Sequence, residues 1–206
     1  MPSLIKAINM LRGRVDICES LIINKSPLLL HISDTPSQFY PELKRIIKVL
    51  KPKYIIHTGD LADNIKCELR PSLLVKYRHE VKKLLKILKE SDAEKIYLAL
   101  GNHDDFDFIK AHKGRLDICK DVCELSFDNI NKLLFSHYPD GMKKNESDIY
   151  LFGHDIEPES SVSDSYISLN GINSINIINL DTLEIHFIAY PMGTDDARLN
   201  KNKIGI

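Results

Sequence analysis

The sequence lacks an excess of either charge sign, since 28 lysines and arginines nearly balance 29 aspartates and glutamates in 206 residues. The net charge of −1 gives no bulk electrostatic attraction to nucleic acid or to an anionic membrane, although it leaves a local charged patch open. Nucleic acid is therefore an unlikely partner. Hydrophobic residues make up 43% of the chain, which excludes a disordered or collagen-like protein and predicts a folded core.

Cysteine is also scarce, with four residues scattered along the chain. Cys18 and Cys67 are isolated, and the pair Cys119 and Cys123 has no second pair at zinc-finger spacing. This pattern excludes the disulfide framework of a small secreted protein. We expect the cysteines to be reduced, structural thiols, which are among the most buried side chains in proteins.

Long apolar runs are missing as well, because no stretch approaches the roughly 20 residues that a membrane-spanning helix needs. Lys6 and Asn9 interrupt the N-terminal segment, which therefore lacks the apolar core of a signal peptide. We expect a cytoplasmic protein with no membrane partner. No repeat or linker divides the chain, so we expect residues 1–206 to form one domain, with 1–26 as an extension before the first core strand.

Short apolar runs alternate with helical patterns in the first half of the chain. The runs at 28–33, 54–58 and 95–100 have the length of buried strands and end in turn-forming residues. Between them, apolar residues recur at helical spacing, at Leu43, Ile46, Ile47 and Leu50 and at Leu74, Tyr77, Val81, Leu84, Leu85 and Leu88. This alternation predicts parallel strands joined by right-handed crossovers.

The ends of the chain add further elements. We expect an amphipathic helix over 3–12 and a strand over 15–23. After residue 112 the chain is β-rich, with strands predicted at 116–119, 122–127, 131–136, 149–152, 164–169, 174–180 and 183–190. The pattern indicates an α/β half followed by a mostly antiparallel half, in which two sheets pack face to face with helices outside.

Metal-ligating side chains follow five of the predicted strands. They are Asp34, Asp60, Asn102, His137 and His154. Ligands of open α/β sheets bind beyond the carboxyl ends of the strands, where these side chains are expected to meet. Their oxygen and imidazole atoms together suit Mn²⁺, Fe²⁺, Ni²⁺ or Zn²⁺, and converging carboxylates need such a cation between them. The sequence therefore predicts a centre for one or two divalent ions.

Five short motifs, in this order, resemble those of the calcineurin-like metallophosphoesterases. They are ISD at 32–34, GD at 59–60, GNHD at 101–104, SHYP at 136–139 and GH at 153–154. The resemblance implies an α/β fold, a four-layered α/β/β/α sandwich of two mixed sheets with two metal ions at the strand ends. It also implies that Asp60 bridges the ions, that Asp34 holds the first ion, and that Asn102, His137 and His154 complete the shell of the second.

The GNHD motif carries the catalytic residues that the resemblance implies. His103 would protonate the leaving oxygen, and Asp104 would orient His103. Two ions can clamp a phosphate and produce a metal-bound hydroxide, while a histidine suits general-acid work near neutral pH. The expected activity is the hydrolysis of a small phosphomonoester or phosphodiester substrate.

The sequence departs from the family pattern at positions that belong to one ion. Pro36 and Ile156 stand where the family has histidines, and both missing imidazoles belong to the first ion. Three alternatives stay open: weak binding of the first ion, a site rebuilt by Asp155 or by a histidine from elsewhere, and a single-ion centre. Asp63 is present after GD, but Asn64 replaces the arginine of the protein phosphatases, so that activity is less expected.

Other functions and structural interpretations compete with this hypothesis. The missing imidazoles also suit a degenerate fold that acts as a protein-binding scaffold, and a nuclease is a weaker alternative. Asp34 and Asp60 could instead cap helices. His31 and His57 lie three residues before the candidate ligands, which places them on the opposite face of their strands, so we interpret both as structural. The sequence leaves the role of Tyr138 and the oligomeric state open.

Overall fold

Two β-sheets contain the eleven strands found in residues 13–23, 25–141, 148–163 and 166–199, the part of the chain that the computed structural model describes. The strands are β1 (Leu28–Ile32), β2 (Tyr54–His57), β3 (Lys95–Ala99), β4 (Asp117–Cys119), β5 (Cys123–Phe127), β6 (Ile130–Phe135), β7 (Ile149–Phe152), β8 (Ser161–Ser163), β9 (Tyr166–Asn170), β10 (Ile175–Asn179) and β11 (Ile185–Ile188). The first sheet has the order β11-β10-β1-β2-β3-β4, and the second has the order β5-β6-β7-β9-β8.

Both sheets mix parallel and antiparallel pairs. In the first sheet β1 to β4 are parallel, and β10 and β11 pair antiparallel at one side. In the second sheet β6, β7 and β9 are parallel, while β5 and β8 pair antiparallel with their neighbours. The α/β fold with two mixed sheets is confirmed. In the second half of the described chain, the antiparallel pairs β1-β10, β10-β11, β5-β6 and β8-β9 outnumber the parallel pairs β3-β4, β6-β7 and β7-β9, so the half expected to be mostly antiparallel is mixed.

Five α-helices lie in the described part of the chain, together with short 3₁₀ turns at Ser37–Phe39, Pro71–Leu73 and Pro139–Gly141. The helices are α1 (Glu19–Ile23), α2 (Tyr40–Leu50), α3 (Leu74–Lys89), α4 (Phe106–His112) and α5 (Thr194–Arg198). The spaced apolar residues of α2 and α3 are buried, apart from the partly buried Leu74 at the start of α3, which confirms both predicted helices. No described helix has the length and apolar character needed to cross a membrane.

The N-terminal segment differs from its prediction. Residues 15–23 were expected to form a strand, but they form an irregular segment followed by α1. The backbone N–H of Val15 donates to Oε1 of Glu42 at 2.7 Å, and Arg45 donates to the carbonyl of Val15 at 2.8 Å. Side chains of α2 therefore take the place of a neighbouring strand. The helix expected over 3–12 lies outside the described residues.

Two large apolar clusters form the core. The first joins alternate residues of the first sheet, such as Leu30 and Ile32, to the buried faces of α2 and α3. The second lies between the sheets, where Leu29 and Ile56 meet Leu133 and other residues of the second sheet. The period-two alternation along β1 divides its side chains between these clusters. Both clusters hold the two sheets and the helices in fixed relative positions, which positions the loops at the strand ends.

The cysteines depart from the expectation of four reduced and buried thiols. Cys119 at the end of β4 and Cys123 at the start of β5 form a disulfide, with Cα atoms 6.1 Å apart. Cys67 is partly buried and Cys18 is exposed, and both are free thiols. The chain passes from the first sheet to the second between β4 and β5, and this passage brings the two thiols together.

Candidate metal centre

The parallel strands of the two sheets deliver the predicted site residues to one cavity. Asp34 follows β1, Asp60 follows β2, Asn102 and His103 follow β3, and His154 follows β7. All five line a cavity of about 890 Å³. Parallel strands carry their carboxyl ends to the same edge of a sheet, which explains why residues distant in sequence meet here.

Three of these residues have left-handed backbone conformations. The φ angles are 49° at Asp34, 54° at Asp60 and 71° at His154. Aspartate and histidine visit this region more readily than most residues other than glycine. Such conformations cost free energy and cluster at functional sites, because they turn a side chain sharply off the end of a strand. Here they aim the three side chains at the cavity.

Asp60, His137 and His154 form what we call the His137 donor group, in which one ligand atom of each residue lies within 4.8 Å of the others. Nε2 of His137 is 3.1 Å from Nδ1 of His154 and 3.7 Å from Oδ2 of Asp60. Oδ1 of Asn102 lies 3.3 Å from the same Nε2 atom. The structure thus brings together four of the five predicted metal ligands.

The hydrogen bonds of His137 determine which ring nitrogen is free. Its Nδ1 atom lies 2.7 Å from the carbonyl oxygen of Thr58, which can only accept, so we assign the proton to Nδ1. The lone pair of Nε2 then points at Asp60, Asn102 and His154. A second ring nitrogen fixed by a carbonyl is typical of metal-binding histidines. This donor set of carboxylate, amide oxygen and imidazoles fits a divalent ion.

The buried carboxylate of Asp60 carries an electrostatic cost. Burial raises the pKa of Asp60 well above its ordinary value, and the nearby charges of Asp34, Asp104 and Asp63 raise it further. The backbone N–H of His103 donates to Oδ1 of Asp60 at 3.0 Å and acts in the opposite direction. A cation between these carboxylates would relieve both the burial and the repulsion.

A second cluster shares Asp60. Asp60, Asp63 and His103 form the Asp63 donor group, whose ligand atoms again lie within 4.8 Å of one another. Nζ of Lys66 pairs with Oδ1 of Asp63 inside this group. Burial and the charge of Asp34 raise the pKa of Asp63 to about 6, while the ammonium of Lys66 lowers it. Asp60 therefore belongs to both donor groups.

Sequence reasoning did not assign Asp63 a ligand role. Asp63 follows Asp60 by three residues in a turn after β2, and this spacing brings the two carboxylates to the same side. The GDLAD string at 59–63 contained that signal. Lys66, three residues further on, gave no comparable signal, because its contact with Asp63 depends on how the loop folds.

Asp34 lines the cavity but belongs to neither donor group. Its Oδ2 atom contacts the hydroxyl of Ser33 and accepts the backbone N–H of His154 at 3.1 Å. The guanidinium of Arg198 donates to the carbonyl oxygens of Ser33 and Asp34. These contacts hold the loop after β1 beside the loop after β7.

His103 lies at the border of the cavity, with 9% of its surface exposed. Burial, followed by the charge of Lys66, lowers the pKa of His103 to about 4, and Glu68 acts in the opposite direction. Oε2 of Glu68 is 3.5 Å from Nδ1 of His103 and 2.5 Å from Nδ2 of Asn102. Glu68 thus contacts two neighbouring site residues, a role that the sequence did not indicate.

Asp104 was expected to orient His103, but its hydrogen bonds go elsewhere. Oδ2 accepts the backbone N–H groups of Asp60 and Gly101, both at 2.9 Å. Oδ1 accepts the backbone N–H of Leu61 at 2.9 Å and the hydroxyl of Tyr77 at 2.6 Å. Each oxygen of the carboxylate thus accepts two hydrogen bonds. Asp104 therefore ties the loops after β2 and β3 to α3, which positions Asp60.

The two residues that stand where the resemblance implies histidines have no metal-binding side chain. Ile156 is 60% exposed at the cavity, and Pro36 precedes the 3₁₀ turn Ser37–Phe39. Oδ2 of Asp155 is 3.8 Å from Nε2 of His154, but the Asp155 side chain is 66% exposed and joins neither donor group. Asp63 is better positioned than Asp155 to contribute a carboxylate to the centre.

His31 and His57 are fully buried and bonded to neutral partners. His31 contacts Thr58 and Asn176 through its two ring nitrogens. His57 contacts the hydroxyl of Thr35 and accepts the backbone N–H of Gly59. Neither belongs to a donor group, which agrees with the structural role expected of both.

Several solved structures are similar to this chain. A structure described as a novel archaeal phosphodiesterase is 19% identical, with a TM-score of 0.53, and the match covers 79% of this chain and 99% of that one. The phosphoesterase YfcE from E. coli is 14% identical, with a TM-score of 0.49 and coverage of 80% and 99%. A Vps29 single mutant from Entamoeba histolytica is 14% identical, with a TM-score of 0.47 and coverage of 73% and 84%.

These identities are low, so the structural likeness concerns the fold. The comparison with curated protein sequences finds no match. A family profile described as calcineurin-like phosphoesterase, in contrast, matches residues 27–196 and so spans most of the chain, including every residue of both donor groups. The chain belongs to the calcineurin-like phosphoesterase family.

Proposed function

We propose that the protein is a divalent-metal-dependent phosphoesterase that hydrolyses a small phosphomonoester or phosphodiester. The observation that carries this proposal is the convergence of Asp60, Asn102, His137 and His154 around one point beside a cavity. Manganese, iron, nickel and zinc all suit this mixture of oxygen and nitrogen donors. The archaeal phosphodiesterase with a similar fold supports testing a diester substrate first.

The residues divide the work between binding and proton transfer. Asp60, Asn102, His137 and His154 would hold the ion, which when bound supplies positive charge and a water of lowered pKa. His103 faces the cavity and would donate a proton to the departing oxygen of the ester. The negative charge of a bound phosphate ester raises the pKa of a nearby imidazole, which opposes the effect of burial on His103.

Turnover of aryl phosphate monoesters and diesters tests this proposal. We expect Mn²⁺-dependent hydrolysis by the native chain and a loss of about 100-fold or more in kcat for His103→Ala, the usual contribution of a general acid. His79→Ala on the exposed face of α3 is the matched control and should retain activity. Metal analysis accompanies each assay. A metal-loaded native chain that turns over neither ester faster than His103→Ala would refute the proposal.

A protein-binding scaffold is the second candidate function. Three large apolar side chains, Ile156, Phe187 and Leu199, are half or more exposed and line the same cavity as the donor groups. Exposed apolar patches are typical of interaction sites. A scaffold should purify without metal and show no Mn²⁺ binding in calorimetry, whereas the phosphoesterase should bind Mn²⁺. The same metal analysis therefore separates the two functions.

A further inference from the structure

The most unusual feature of the centre is a lysine inside a donor group. Nζ of Lys66 pairs with Oδ1 of Asp63, whose side chain is 2% exposed, and the Lys66 side chain is itself 23% exposed. Both residues line the same cavity as Asp60 and His103. A buried carboxylate needs a cation as its partner, and here the chain itself provides that cation.

We propose that the ammonium of Lys66 takes the place of a second metal ion in the Asp63 donor group, so that the centre binds a single divalent ion in the His137 donor group. This inference rests on the proposed function and specifies its metal content. It assigns Lys66 a role that composition and motif comparison do not indicate.

Competition for Asp63 is the first argument. A metal ion in the Asp63 donor group would share the Asp63 carboxylate with Lys66, and it would bring two positive charges next to the ammonium. Like charges at such a separation repel, most strongly where burial lowers the effective dielectric constant. The ammonium and a metal ion therefore exclude each other from this group.

Position in the cavity is the second argument. In the described part of the chain, Lys66 has one hydrogen-bond acceptor, the Asp63 carboxylate, while an ammonium offers three donors. The remaining N–H groups can serve the oxygens of a phosphate ester bound between Lys66 and the His137 donor group.

The sequence also favours a single ion in the His137 donor group. The two family imidazoles that are replaced, at Pro36 and Ile156, would both have served one ion, and the four ligands around His137 are all retained. The sequence thus disfavours an ion beside Asp34, and Lys66 disfavours an ion in the Asp63 donor group, so the His137 donor group is the position that keeps its full set of ligands. Lys83 pairs with Glu80 at the same spacing of three residues on α3, but that pair lies outside the cavity and serves as a comparison.

Metal stoichiometry tests the inference without any activity measurement. Isothermal titration of the chelator-treated native chain with Mn²⁺ should give one ion per chain, and the electron paramagnetic resonance spectrum should show uncoupled Mn²⁺. Lys66→Met should admit a second Mn²⁺ and produce a coupled, broadened spectrum. Lys83→Met should behave like the native chain. The double variant K66M/D63N should return to one ion, because Asp63 is the ligand that the first substitution releases.

The possible outcomes discriminate between the inference and the proposed function. Two ions of comparable affinity in the native chain, or no second ion in folded Lys66→Met, would overturn the role of Lys66 and leave the proposed function standing. A native chain that binds no Mn²⁺ contradicts both. One ion in the native chain and two in Lys66→Met support the inference, whatever the rate of ester hydrolysis. Circular dichroism confirms that each variant is folded.

Discussion

Nε2 of His137 and Nδ1 of His154 face each other at 3.1 Å, although the two residues belong to loops after different strands. The ring of His137 donates its proton to the Thr58 carbonyl, so its facing nitrogen carries a lone pair. Two imidazole nitrogens at this distance can share one proton or turn toward one cation. The oxygens of Asp60 and Asn102 at the same point favour the cation.

Removing one of these imidazoles should abolish tight metal binding. We expect His137→Ala to weaken Mn²⁺ binding by about 100-fold or more, since the loss of even an outer partner of a ligand commonly costs a factor of about 10 to 100. Isothermal titration measures the affinity, and His79→Ala is the exposed control. Unchanged affinity in His137→Ala would show that the ion binds elsewhere.

Substitution of Gly59 tests whether His137 needs the space that this glycine leaves free. A Cβ atom at Gly59 would lie 2.5 Å from Nδ1 of His137 and 2.6 Å from the backbone nitrogen of Gly101. We therefore expect Gly59→Ala to displace His137 and lower Mn²⁺ affinity by about tenfold or more, as for a lost outer contact. Gly193→Ala is the matched control, because both glycines have positive φ but Gly193 has open space around it. Equal affinities in both variants would contradict this prediction.

Asp104 should matter for stability more than for proton transfer. Asp104→Asn places an amide N–H₂ against buried donors, and we expect it to lower the free energy of unfolding by about 3 kcal/mol. Tyr77→Phe removes a single hydroxyl contact to Asp104 and should cost about 1 kcal/mol. Urea denaturation measures both. A stable Asp104→Asn variant with impaired turnover would instead support a direct role beside His103.

Stability should fall in acid because two histidines are buried in neutral form. Burial lowers the pKa of His31 to about 3, and that of His57 to about 3, from an ordinary value of 6.5. As the pH falls from 6.5 toward 3, these histidines therefore become protonated in the unfolded chain but stay neutral in the folded chain. Each such histidine should reduce the free energy of unfolding by about 1.4 kcal/mol per pH unit.

The histidine contribution can be isolated by substitution. The stability advantage of the native chain over His31→Gln should shrink steadily below about pH 6.5, since glutamine does not titrate in this range. Urea denaturation with a chelator present keeps metal binding out of the comparison. A stability difference that is constant down to about pH 4 would show that His31 is protonated in the folded chain.

Much of this fold follows from local patterns. The apolar run at 54–58 predicts a strand, and the spaced leucines of α3 predict a helix. Both predictions hold because each pattern lies within one short segment and reflects which side chains that segment buries. The strand predicted over 15–23 is wrong because this segment pairs with no neighbouring strand in the described chain. Instead, the side chains of Glu42 and Arg45 bind the backbone N–H and carbonyl groups of Val15. Those partners lie about thirty residues away in sequence and leave no local signal.

The sequence by itself determined which residue types follow each strand, and thus the candidate ligands at Asp60, Asn102, His137 and His154. Only the tertiary structure decided that Asp104 holds the loops after β2 and β3, that Cys119 meets Cys123, and that Lys66 lies on Asp63. The reason is physical: residue type and spacing fix a side chain's chemistry and its position along a strand, whereas its partners depend on how distant loops pack and on the charges already buried there.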